Sequence, residues 1–156
     1  MKIRLYAFFL SIGLSVAIIA TVQQAQATLG ESVNSITLDR KALPAVRRAT
    51  TVRNGYTVHE IASDSTVVRE YVSPSGIVFG IAWNGLIHPD LTQLLGAYAG
   101  EYQEALRQTP RQLGRRRLQV KTNRVVVEKW GHMRNLQGRT YAPDLIPPGV
   151  NIDEIK

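Results

Sequence analysis

The chain of 156 residues contains no cysteine. That excludes disulfide staples, thiol catalysis, iron–sulfur clusters and cysteine-ligated zinc. Histidine is scarce too. His59, His88 and His132 lie far apart in the chain, and no H-E-x-x-H occurs, so no metal-ligand motif is present. No G-x-G-x-x-G or P-loop follows a strand pattern, which leaves a nucleotide fold unsupported. No internal repeat is visible, and no cofactor is expected. Apart from one N-terminal stretch there is no long hydrophobic run.

That stretch has a definite grammar. Lys2 and Arg4 form a positive start, Leu5 to Val22 is apolar and uncharged, and Ala25-Gln26-Ala27 is a small-x-small site. The order is that of a secretory signal peptide over residues 1–27, cut after Ala27. The alternative is an uncleaved anchor, since about 18 apolar residues could just span a bilayer. Cleavage would leave 129 residues (156 less 27), enough for one core. It removes two cations and no acid, so the formal charge falls from +7 to +5. The expected location is periplasmic or extracellular. Membrane association is expected only through the signal before it is cut.

Residues 28–55 lack long apolar runs and read as a loosely structured entry, with "SITLDRKAL" as a short helix before Pro44. From residue 56 to 156 the chain reads as a single α+β domain. "YTVHEIA", "VVREYV" and "IVFGIAW" are three strands of an antiparallel meander, separated by "SDST" and "SPSG". In Ser73-Pro74-Ser75-Gly76, Pro suits the second position of a type I turn and Gly the left-handed position after it. The turns imply a register. It pairs Val72 with Val78, Tyr71 with Phe79, Glu70 with Gly80, Glu60 with Arg69 and His59 with Glu70. Tyr56, Val58, Tyr71, Phe79, Ile81 and Trp83 then share one face, the expected core. His59, Glu70, Val72, Val78, Gly80 and Ala82 share the other.

In "HPDLTQLLGAYAGEYQEALRQT", Leu91, Leu94, Leu95, Tyr98, Tyr102 and Leu106 recur at helical spacing. Pro89 and Asp90 suit the start and Pro110 follows the end. Gly96 and Gly100 are expected to let this helix approach the sheet. After a basic connector, "LQVK", "RVVVEKW" and "HMRNLQGRTY" give two or three further strands. The Pro147-Pro148-Gly149 tail runs over the surface with Leu145, Ile146 and Val150 docking. The fold class is α+β, an antiparallel sheet with the helix packed on one face.

Chemistry is sparse. Ser73 and Ser75 lie between strands with no preceding glycine, unlike the nucleophile of a G-x-S-x-G elbow. Glu60, expected opposite Arg69, reads as half of an ion pair rather than a general acid. The weak binding candidates are His59 with Glu70, His132 with Arg134, and the cationic run Arg115, Arg116 and Arg117. The run could attract acidic surfaces. It lacks interleaved aromatics, and export argues further against nucleic acid, so no nucleic-acid partner is expected.

"YTVHE", "VVREYVSPSGIVF", "AWNG…PDLTQLLGAY…EYQ" and "GHMRNLQGRTYAPDLIPPGV" together resemble a family of bacterial secreted proteins known as domain of unknown function 2844. The resemblance runs from about Thr28 to Lys156, and R-E-Y-V-S-P-x-G combined with G-H-M-R is its specific part. It implies a bacterial, exported protein and supplies no catalytic residue. Three functions remain open. One is a non-enzymatic accessory or binding module, with an envelope protein as partner. Another is an envelope hydrolase whose His/Glu site assembles in space. The third is attachment to an anionic surface through Arg115 to Arg117.

Overall fold

The computed structural model describes residues 28–32, 47–110, 114 and 116–156, with the backbone alone at 47 and 48. The signal segment, the "SITLDRKAL" helix and Arg115 lie outside the described residues. Among the described residues seven strands form one antiparallel sheet: β1 (Arg47–Arg53), β2 (Tyr56–Ala62), β3 (Thr66–Val72), β4 (Val78–Gly85), β5 (Arg117–Lys121), β6 (Val126–His132) and β7 (Asn135–Tyr141). Their spatial order is β1-β2-β3-β4-β7-β6-β5. Two antiparallel ribbons therefore join along β4 and β7. Between them in sequence lies a helical segment, α1 (Leu91–Leu95), a 3-10 turn (Gly96–Tyr98) and α2 (Ala99–Gln108).

The helix starts where the sequence indicates, with the Asp90 carboxylate accepting a hydrogen bond from the Thr92 amide at 2.8 Å. Leu94, Leu95, Tyr98 and Tyr102 are buried against Leu29, Val68, Val78, Ile81, Trp83, Val120 and Val127. Gly96 acts differently from expectation. It takes φ 49 where α1 gives way to the 3-10 turn, and a side chain there would strike Thr28 rather than the sheet. No described residue lies within 4 Å of a β-carbon built at Gly100.

The segment expected to be loose departs from that expectation at both ends. Arg47–Arg53 is β1, in register with β2 around the Asn54-Gly55 turn. Residues 28–32 are stitched into the core. Leu29 is fully buried, its amide donates to Leu94 O at 2.9 Å, and the Gly30 amide donates to Val78 O at 2.8 Å. Short runs without periodicity carried no signal for either.

The predicted pairs His59 with Glu70, Glu60 with Arg69 and Val72 with Val78 are present as Cα partners. Tyr71, however, pairs with Gly80, and Glu70 with Ile81, because a bulge interrupts β4 beside Tyr71 and Val72. One extra residue inverts the parity of everything after it. Phe79 packs with Tyr56 and Tyr71, while Ile81 and Trp83 move to the opposite face under the helix. The single predicted core thus becomes two, one on each side of the sheet. The second is closed by the C-terminal tail through Leu145, Ile146, Val150, Ile152 and the fully buried Ile155. The small-residue face around Gly80 does not exist as such. Gly80 faces the tail, and a β-carbon there would lie 2.9 Å from Ile155 Cδ1.

Candidate functional site

The serines of the β3–β4 turn are structural. Ser73 Oγ donates to Ile77 O and accepts from the Ile77 amide, both at 3.1 Å. The Gly76 amide closes the turn on Ser73 O at 2.9 Å, with Gly76 at φ 81. Both hydroxyls hold the bend, and Ser73 Oγ lies 2.8 Å from Ser75 Oγ.

Of the sequence candidates, His59 and Glu70 are brought together as Cα partners on β2 and β3; His59 Nδ1 lies 3.1 Å from Thr50 Oγ1, and Glu70 is fully buried. His132 ends β6 and Arg134 occupies the exposed β6–β7 turn at φ 64. Three strands separate β2 from β6, about 19 Å at the usual strand spacing, so His59 and His132 do not converge. Arg116 is exposed. Arg117 reaches the buried Glu128 at 3.1 Å, which commits part of the cationic run to the fold. Among the described residues no group of three His, Asp or Glu side chains is arranged to hold a metal.

A constructed polar cluster lies on the tail face. Glu128, almost fully buried, accepts from Arg139 Nε at 2.6 Å, Arg117 Nη2 at 3.1 Å and Gln119 Nε2 at 2.8 Å. Burial pushes its carboxyl up, but the two arginines outweigh burial and hold it below the usual range. Arg139 also donates to Ile152 O at 2.9 Å. This network clamps β5, β6, β7 and the tail together. Its charges are consumed in doing so.

Beyond the tail's edge the same face opens into a groove of about 500 Å³. Ala49, Thr51 and Arg53 of β1 form one wall, Glu154 and Lys156 the other, and Val58 and Tyr71 lie between them with Tyr56, Glu60 and Arg69. The strand alternation puts these residues on one side, and the helix lies on the other side of the sheet, so nothing in the helical layer covers them. Tyr56, Tyr71 and Phe79 pack as an aromatic block, Phe79 edge-on to both tyrosines and the two tyrosines tilted to each other, with ring centroids 5.9 to 6.3 Å apart. Tyr71 Oη donates to Lys156 O at 2.9 Å and accepts the Lys156 amide at 3.0 Å. Tyr56 Oη donates to Glu154 Oε2 at 2.6 Å. Burial, and then the Glu154 carboxylate, push the Tyr56 phenol up to about 12. The same hydrogen bond holds Glu154 below the usual carboxylate range. Glu60 receives Arg69 Nε at 2.8 Å. The Arg53 guanidinium makes no hydrogen bond or ion pair with a described side chain, although the Arg53 backbone pairs with Tyr56.

No sequence candidate among the described residues lines this groove. Its residues were legible only as a core face and one cross-strand ion pair. Among the described residues they are left uncovered by the edge position of β1, which no local sequence pattern discloses. No curated protein and no solved structure matches the chain. The family described as Protein of unknown function (DUF2844) matches residues 25–155, nearly the whole chain, and the protein belongs to that family.

Proposed function

We propose that the protein is an exported, non-enzymatic binding module of the cell envelope that holds a partner in the groove between β1 and the tail. The observation that carries the reading is the groove's make-up: an aromatic and aliphatic floor with charged walls, on a rigid sheet face. That combination suits recognition of a shaped surface. It does not suit proton transfer. A general acid or base needs a pKa near working pH, whereas the Tyr56 phenol is pushed up to about 12 and Glu154 is held low. The Glu60 carboxylate is occupied by Arg69. Export rests on the leader, and a cut after Ala27 keeps Leu29, a core residue, in the mature chain.

The test is photocrosslinking in the envelope from p-benzoylphenylalanine placed at Thr51. A discrete adduct is expected, and filling the groove with Val58→Trp should abolish it while Arg116→Ala leaves it intact. An adduct that survives the Val58→Trp filling removes the groove from the reading. N-terminal sequencing of the exported protein should begin at Thr28; a retained leader would convert the module to an anchored one.

A further inference from the structure

The geometry points to β1 as a docking edge for an extended acidic segment of a partner protein, added to the sheet as an eighth strand. This rests on the reading of the chain as a binding module and names the partner's chemistry. β1 ends the strand order and, among the described residues, pairs only with β2. Arg53 and Tyr56 flank a two-residue turn and are Cα partners, so they exchange the closing hydrogen bonds. Counting back by twos, Thr51, Ala49 and Arg47 also bond to β2. The N–H and C=O groups of Arg48, Thr50 and Val52 therefore point away from the sheet. Ala49 to Arg53 are all exposed, and Val52 is 79% exposed. Such an edge is a template for another strand. The opposite edge, β5, is shorter and carries charges at both ends, Arg117 and Lys121.

Charge selects the occupant. β1 reads RRATTVR, with three arginines and no acid. A second copy of the chain, paired antiparallel about Thr50, would set Arg47 against Arg53, and like charges directly opposite are destabilising. An acidic strand meets the same arginines favourably. Ala49, Thr51 and Arg53 wall the groove, so alternate side chains of the added strand would extend that wall.

The probe is the peptide Ac-EVEVEVE-NH2, with Ac-KVKVKVK-NH2 as control and a version methylated at every backbone nitrogen. Binding is read by fluorescence anisotropy and amide hydrogen exchange on the mature protein. The acidic peptide should bind about tenfold more tightly than the basic one at low salt and lose affinity as salt rises. It should protect the Thr50 and Val52 amides and leave Thr51, already bonded, unchanged. The methylated peptide keeps the charge and should not bind. Equal binding of the methylated peptide, protection at Arg116 and Arg117 instead, or dimerisation of the free protein through β1 would each overturn the proposal. Any of these together with a groove-dependent adduct at Thr51 would overturn it while leaving the binding-module reading in place.

Discussion

At the scale of single residues, three side chains report on the fold through protons. Trp83 Nε1 donates to His88 Nδ1 at 2.9 Å, which requires that nitrogen to be unprotonated. Burial, and then the nearby Lys129 charge, lower the His88 pKa from its usual value. A lowered histidine contributes stability above its unfolded value of about 6.5, lost as pH falls through the folded one. In a Trp130→Phe background, the Trp83 fluorescence should change on acidification below pH 6.5, and His88→Gln should flatten that step. The Tyr56 phenol has the opposite sense. Its folded value of about 12 lies above the unfolded value near 10, so its contribution is full below pH 10 and disappears as pH rises through 12. Absorbance at 295 nm (the phenolate band) should show a late-titrating tyrosine that Tyr56→Phe removes. Glu128 is the acid counterpart. Its lowered pKa makes its contribution full above about 4.3 and lost as pH falls through the folded value. Glu128→Gln leaves Arg139 without its carboxylate and should cost about 3 kcal/mol at pH 7 by denaturant unfolding. That difference should shrink towards pH 3, and a pH-independent cost would contradict the ion-pair account.

Among the elements, the C-terminal tail is the one whose role the sequence understated. Leu145, Ile146 and Val150 were readable as docking residues because they are apolar and sit around a proline-rich bend. Ile155 was not, since a single isoleucine flanked by charges has no period to reveal its direction. It is fully buried. Ile155→Ala should therefore cost about 3 kcal/mol, as a filled site that collapses only partly does. Gly80→Ala forces a methyl against Ile155 and should cost about 1 to 2 kcal/mol. Ile155→Val should relieve part of that cost in a double-mutant cycle, and strict additivity would contradict the contact. The β4 bulge shows the same limit. The turn and the composition specified the hairpin, and Val72 does face Val78. An extra residue at Phe79 leaves no mark in the alternation of a wholly apolar run, so the faces beyond it could not be assigned from sequence.

For the whole molecule, the sheet's two faces divide the labour. The helix covers one and the tail part of the other, and the remainder left uncovered among the described residues is the groove beside β1. If the groove is the proposed binding site, crosslinking from position 51 should be insensitive to replacement of Arg116 and sensitive to filling at Val58. Much of the fold was legible. The strand–helix–strand order, the Asp90 cap and the Glu60–Arg69 and His59–Glu70 registers all follow from local pattern. The site was not legible, because a groove is made by what fails to cover a surface, and no residue encodes that alone.

The sequence by itself determined the α+β class, the hairpin turns and the membership of the family, since periodicity, turn chemistry and residue identity are local properties. Tertiary structure alone decided which face each strand residue serves, that residues 28–32 and Ile155 complete the two cores, and that among the described strands β1 lies at the sheet edge beside the groove. Each of those depends on segments distant in the chain meeting or failing to meet, and a bulge of one residue was enough to redirect the pattern.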